Sequence, residues 1–321
     1  VAEFLLGSPL RPLAKRFPRL RRALWRLDAG FIRLLLALFR CLPVDLASHI
    51  GAAFGALAGP LLRRKSAIMA ENLAIALPDC SPAQRRALVR ACWRQGGRIL
   101  AEYPHLRAFT LASGRLELDT RLCDPSNLQP CVVVSAHLSN WELNGSAMSA
   151  LGMPNATLYS PPSNPYLDRM LLASRAALNS QLLPRDNSAR LLVRALASGR
   201  SVGMVVDRRI DGGEPVPFFG QPKDSSLLPA RLALKQNCAL VPARVQRLRG
   251  ARFRVTFYPP ISPAPGTAGE RAKATDMLRQ LHGHFEDWIR EQPADWLCSK
   301  RLWPRGTSAT DSTLPSASAT R

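Results

Sequence analysis

From Cys131 onward the chain alternates short apolar runs, rich in β-branched residues, with longer segments of helical periodicity. Cys131–Ala136 predicts a buried strand, and the stretch from about Trp141 to Leu151 a helix. A strand near Ala156–Tyr159, a helix over Pro165–Leu178 and a short strand at Gln181–Leu183 follow. Asn187 is placed to cap a helix over Ser188–Ser198, which Gly199 ends. Ser201–Val206 reads as another buried strand. Ser225 and Ser226 open a helix to Gln236, and Ala239–Val245 is a strand. Arg252–Tyr258 alternates as an edge strand does, and Gly269–Gln292 is a long final helix. Upstream, Ser81-Pro-Ala-Gln84 has the form of a capping box with proline in the first turn, opening a helix to about Glu102. This alternation predicts an α/β sandwich with a largely parallel central sheet.

The N-terminal pattern differs. A basic stretch (Arg11, Lys15, Arg16, Arg19, Arg21, Arg22, Arg26) precedes an apolar segment from Ala29 to Phe39, interrupted by Arg33. A second apolar run, Val44 to Leu62, is rich in alanine and glycine. Neither is a charge-free span of about 20 apolar residues, and the charged region is too long for a secretory signal. Two readings stand: a buried amphipathic helix pair, or basic helices on or partly in an anionic inner leaflet. Cations clustered beside apolar faces favour the second. The expected organisation is a membrane-associated helical region over residues 1–62, a catalytic domain over 63–304 and a disordered polar tail over 305–321.

Charge sharpens this picture. Lys and Arg number 44 against 23 Asp and Glu, a formal net charge of +21 in 321 residues. Hydrophobic residues make up 46% of the chain, enough for a sizeable core. Such charge calls for an anionic partner: nucleic acid, an anionic membrane or an acidic carrier. Aromatics interleaved with a basic patch are missing, as is any recognised nucleic-acid module, so nucleic acid is set aside. The seven cysteines are widely spaced without a CxxC. They read as reduced thiols, not a zinc site or disulfide framework, on a cytoplasm-facing protein.

Of the five histidines, only His137 directly follows a buried strand. Ligands of open α/β sheets gather at the carboxyl ends of strands. In His137-Leu-Ser-Asn-Trp-Glu142, the carboxylate lies one turn into the next helix. Glu142 can reach back to accept the His137 Nδ1–H, leaving Nε2 as a general base. Gly199-Arg-Ser-Val-Gly203 matches a nucleophile elbow in letters only, because helix precedes and strand follows the serine, the reverse of what the elbow requires. Asp207, Arg208 and Arg209 follow another strand end, where the arginines suit an anionic group. Val216-Pro-Phe-Phe-Gly220 reads either as a pocket loop, with Phe218 and Phe219 on substrate, or as a turn before a packed aromatic pair. His282-Gly-His284 lacks a third ligand and reads as helix surface.

Several segments together resemble the bacterial lipid A biosynthesis (late) acyltransferases of the lysophospholipid-acyltransferase-like superfamily. They are Glu71-Asn-Leu-Ala-Ile-Ala-Leu-Pro78, the His137–Glu142 segment, Asn164-Pro-Tyr-Leu-Asp-Arg169, Val206-Asp207, Val216–Gly220, Pro229-Ala-Arg-Leu-Ala and Pro293-Ala-Asp-Trp-Leu-Cys-Ser-Lys-Arg-Leu-Trp303. The resemblance covers about residues 20–304. It implies a glycerolipid-acyltransferase-like fold on the cytoplasmic face of the bacterial inner membrane. It further implies transfer of a fatty acyl chain from acyl carrier protein to a hydroxyl of a lipid A precursor, with no metal or cofactor. The family's histidine–acid dyad maps onto His137 and Glu142, and its helpful arginine onto Arg175 first and Arg169 second. Asp207, Arg208, Phe218 and Phe219 fall to substrate binding, and an apolar groove beside the N-terminal helices to acyl chains. Arg208 stands where the family often has glutamine, Ser225–Ser226 where it has threonine, and 176–181 lacks its usual glycine. These departures leave other lipid acceptors open: a lysophospholipid, an ornithine-type lipid or a polyene head group. Water as acceptor would make the enzyme a thioesterase.

Overall fold

The computed structural model describes residues 10–186 and 188–307. Asn187, the expected cap, and the tail from residue 308 lie outside the described residues. The chain opens with α1 (Arg11–Arg16), α2 (Pro18–Arg40), α3 (Val44–Ala58), α4 (Arg63–Ala76) and α5 (Pro82–Glu102). It continues through β1 (Leu116–Asp119), β2 (Val132–Ser135), α6 (Leu143–Ala150), β3 (Asn155–Tyr159), α7 (Pro165–Arg175), β4 (Gln181–Pro184), α8 (Ser188–Ala197) and β5 (Ser201–Val205). A hairpin of β6 (Glu214–Phe218) and β7 (Gln221–Ser225) leads to α9 (Leu228–Lys235), β8 (Leu240–Arg247), β9 (Phe253–Phe257) and α10 (Glu270–Glu291).

The seven-stranded sheet has the order β1-β9-β8-β2-β5-β3-β4. Its pairings are parallel except β8 with β9. The β2 run is apolar throughout because it is central. Val132 and Val134 join one core, with α9 and α10, while Val133 joins the other, with α6. The capping box of α5 forms as expected: Ser81 Oγ accepts from Gln84 N–H, and Gln84 accepts from Ser81 N–H.

Two element assignments change. Arg252–Tyr258 is not an edge, because β1 pairs with β9 along its outer side. Its exposed alternating position, Arg254, meets Glu117 of β1 at 3.0 Å, so a polar residue there marks a neighbouring strand and not solvent alone. Ser225 ends β7, and α9 begins at Leu228, whose N–H donates to Ser226 Oγ at 3.2 Å.

The N-terminal helices wrap one end of this body. α3 lies on α5 with glycine against glycine: a Cβ added at Gly51 would sit 2.4 Å from the Gly97 carbonyl oxygen. Large residues therefore turn away from that contact. Leu46, Ile50, Phe54, Leu57 and Leu61 stand exposed on and just after α3, and Leu27, Phe31, Leu34 and Leu38 along α2, each set at helical spacing. Among the described residues one helical stretch, Val44–Leu61, is long and apolar enough to cross a membrane, with 44% of it buried inside the fold.

Candidate active site

Strand register brings the chemistry together. β2 and β5 are parallel neighbours, with Ser135 opposite Val205. His137 and Asp207 each lie two residues past that pair, so they emerge side by side at the shared carboxyl end. Their contact is short: His137 Nδ1 donates to Asp207 Oδ1 at 2.5 Å. The other Asp207 oxygen accepts from Trp296 Nε1 at 3.0 Å, and its main-chain carbonyl accepts from the buried Lys223 Nζ at 2.8 Å. Burial opposes ionisation of Asp207. The charges of His137, Lys223 and Arg208 outweigh it and hold the carboxyl below its ordinary range. Asp207 thus fixes the imidazole tautomer and leaves Nε2 for a substrate.

This corrects the expected dyad. Glu142 does not accept from His137 Nδ1. It is gripped by Arg175, Nε to Oε2 at 2.8 Å and Nη2 to Oε1 at 2.6 Å, and by the Tyr103 hydroxyl at 2.8 Å. The reason lies in the local backbone: Glu142 is the cap residue of α6, and the loop before it turns through a left-handed Ser139. Burial works against the Arg175 charge, but the fork on Glu142 keeps the guanidinium more firmly protonated than usual. Burial and the Glu142 charge push the Tyr103 phenol well above its ordinary pKa, so it remains a donor.

The intervening loop is pinned from outside. Ser139 N–H donates to the Asp295 carbonyl at 2.9 Å, and Leu297 N–H to the His137 carbonyl at 3.0 Å. Asn140 Nδ2 donates to buried Glu102, which also holds Arg247 and Ser48 of α3. Trp141 packs edge-on to His137, ring centroids 4.9 Å apart. Asn72 in turn ties down the carbonyls of Cys298 and Lys300. Two segments that carried only resemblance in the sequence, 71–78 and 293–303, are thus the brace behind the histidine loop.

His137, Glu142, Arg175 and Arg208 line one cavity of about 790 Å³, with Val133, Leu158, Leu178, Leu182 and Met204 forming an apolar wall. Other expected site residues lie elsewhere. Arg169 is exposed on α7, stacked over Tyr166 at 5.9 Å. Phe218 and Phe219 sit at the β6–β7 turn, buried among Trp296, Trp303 and His282 and off the cavity wall. Of the two readings of this segment, the packed pair is the one observed. His282 is 1% exposed, not helix surface, and burial with the Lys223 charge drives its pKa well down, keeping it neutral. Ser201 of the false nucleophile elbow is fully buried at the opposite end of β5. All seven cysteines are free. The groove beside the N-terminal helices is a smaller slot of about 370 Å³ between α2 and α7, walled by Leu36, Ala37, Met170 and Ala173. Sequence reasoning missed Tyr103, Lys223 and Trp296 as site residues. Trp296 alone lay in a segment already singled out.

A family model described as bacterial lipid A biosynthesis acyltransferase matches residues 15–305. A lipid A biosynthesis acyltransferase of Haemophilus influenzae is 26% identical over 235 residues, 69% of this chain and 74% of that one. A lipid A biosynthesis palmitoleoyltransferase of Escherichia coli is 27% identical over 187 residues, 56% of this chain and 60% of that one. A phosphatidylinositol mannoside acyltransferase of Mycolicibacterium smegmatis is 24% identical over 283 residues, 83% of this chain and 88% of that one.

Proposed function

The chain belongs to the bacterial lipid A biosynthesis acyltransferase family and is an acyltransferase; on that premise we propose that it moves a fatty acyl group from an acyl carrier thioester to a hydroxyl of a lipid A precursor at the cytoplasmic face of the inner membrane. The carrying observation is the His137–Asp207 pair at the joint end of β2 and β5, opening on a cavity that is cationic at one side and apolar at another.

In the proposed reaction His137 Nε2 takes the acceptor hydroxyl proton as that oxygen attacks the thioester carbonyl carbon. Asp207 orients the ring and stabilises the imidazolium. Arg175, held rigid by Glu142 and Tyr103, is the cation for charge developing on the carbonyl oxygen. The intermediate collapses with cleavage of the carbon–sulfur bond, and His137 returns its proton to the leaving thiolate. The acyl chain lies along the wall of Val133, Leu158 and Met204. The glycolipid acceptors in the names of the relatives, lipid A and phosphatidylinositol mannoside, favour a sugar hydroxyl. The exposed apolar faces of α2 and α3 and the neighbouring arginines support a seat on the leaflet that supplies the acceptor.

The test is incubation of the purified chain with acyl carrier thioesters and a panel of lipid acceptors, read by product mass. His137→Ala and Asp207→Asn are each expected to slow acyl transfer at least about 10²-fold, the scale of general-base help, and Glu142→Ala, by freeing Arg175, by about 10²–10³-fold, the scale of one oxyanion donor. Near-normal rates in folded His137→Ala and Asp207→Asn proteins would end this mechanism. Free fatty acid without acylated lipid would make the protein a thioesterase.

A further inference from the structure

Cations lining the cavity are matched unequally. Arg175 has Glu142, Arg209 has Asp211 and Asp224, and Arg301 has Glu71. Arg185, Arg208 and Lys300 line the same cavity and have no salt bridge among the described residues. They come from three separate places: the residue after β4, the residue after Asp207, and the C-terminal brace. Lys65 of α4 stands behind them, its Nζ 3.5 Å from the Ser299 carbonyl.

Their mutual repulsion is evident. Burial first, and then the like charge of Arg185, lowers the Arg208 pKa even though Asp207 opposes the shift. Lys65 is lowered by burial and then by Lys300, Arg64 and Arg208. Asp207 is the nearest counter-charge to Arg208, but it makes no ion pair with Arg208, Arg185 or Lys300; its carboxylate oxygens face His137 and Trp296. Arg208 and Lys300 are half-buried and Arg185 is exposed, while the carboxylates Asp186 and Asp211 line the same cavity, Asp211 on Arg209; a cation held partly out of water without an ion-pair partner destabilises a fold. Gathering these three around one cavity makes physical sense when a ligand brings further negative charge. A phosphomonoester carries about −1.5 to −2 charges and three strong acceptor oxygens, which suits a guanidinium pair and an ammonium better than a single carboxylate would.

We propose that Arg185, Arg208 and Lys300 form a phosphate-binding subsite that anchors a phosphate-bearing substrate beside His137. Assigning that phosphate to a particular substrate rests on the acyltransferase reading. The site itself does not. Two sources share this chemistry: a phosphomonoester on the acceptor sugar, and the phosphodiester of a carrier's pantetheine arm.

Binding is tested first on the full chain, by melting in increasing inorganic phosphate at fixed ionic strength, with potassium chloride as balance. The expected result is a saturable rise in Tm. Arg208→Ala and Lys300→Ala should each weaken the half-saturating concentration at least tenfold, while Arg121→Ala, off the cavity, behaves as the parent. No phosphate effect beyond chloride, or equal effects in all variants, would overturn the subsite whether or not acyl transfer is found. Kinetics then assign the source. If the variants lose at least tenfold of the preference in kcat/KM for phosphorylated over dephosphorylated acceptor, the acceptor supplies the phosphate. If donor KM rises tenfold and that preference is unchanged, the carrier arm does. Phosphate binding lost with neither constant moved would sink a substrate role. A chain that binds phosphate through these residues but transfers no acyl group keeps the subsite and loses the proposed reaction.

Discussion

Lys223 is fully buried, with its ammonium 4.2 Å from the Phe218 ring centroid and donating to the Asp207 carbonyl. Burial lowers its pKa from 10.5 to about 8, against the pull of Asp207 and Glu286. The folded state therefore binds its proton less tightly than the unfolded chain, so its cost to stability is full below pH 8 and fades as pH rises toward 10.5. At neutral pH its charge helps hold the Asp207 carboxyl ionised behind His137. Lys223→Met removes that cation and its hydrogen bond to the Asp207 carbonyl, so the buried carboxylate that orients His137 loses one of its stabilising charges. Acyl transfer by the folded Lys223→Met protein is expected to fall about tenfold or more in kcat with KM little changed, as the Asp207 support of His137 weakens. A melting change with an unmoved kcat would reduce Lys223 to a packing role. None of this was legible in the sequence. His137 and Asp207 were singled out because each follows a buried strand, but their partnership needed the β2–β5 register, which local pattern does not contain. Glu142 was found for its spacing and assigned the wrong partner, because Arg175 and Tyr103 reach it from distant segments.

At the scale of elements, the α3–α5 contact offers a test of opposite signs. A Cβ at Gly97 would lie 2.0 Å from the Gly51 carbonyl oxygen and 2.9 Å from Gly55 Cα, both backbone atoms that cannot swing aside. Gly97→Ala should cost about 1–3 kcal/mol of overpacking, more than its gain in helix propensity. Gly283, inside α10, has nothing within 4 Å of its virtual Cβ. Gly283→Ala should stabilise by roughly 0.5–1 kcal/mol. Scanning calorimetry in detergent reads both, and a Gly97→Ala protein as stable as the parent would mean α3 does not rest on α5 this closely. The same scale shows where pattern reading works. Central strands and amphipathic helices carry their period openly, and β2, β5, α5 and α10 were placed within about two residues. β1 was missed at four residues, half of them polar, and the β6–β7 hairpin because Pro215, Pro217 and Pro222 argue against strand in a ladder.

For the whole molecule, part of the +21 charge lies at the cavity rim and part along the N-terminal helices. The second share frames the exposed stripes Leu27–Phe31–Leu34–Leu38 and Leu46–Ile50–Phe54–Leu57. Composition announced an anionic partner and the clustered cations favoured a membrane surface, but only the fold separates these leucines and phenylalanines from the core, since the pattern of apolar positions also fits a buried helix pair. If α2 and α3 rest on a leaflet as proposed, apolar burial supplies the affinity and the arginines its preference for anionic lipid. Each stripe residue is worth about 1.5–3 kcal/mol when buried. Losing one from each helix, in the doubly substituted Leu34→Asp, Phe54→Asp protein, should lower partition to anionic vesicles more than tenfold, at 1.4 kcal/mol per decade. Flotation with vesicles of anionic and of neutral lipid measures this. Raising salt should release the parent protein from anionic vesicles in part, as surface charges are screened, and leave its binding to neutral ones unchanged. Equal flotation of parent and variant would mean that these faces meet something other than lipid.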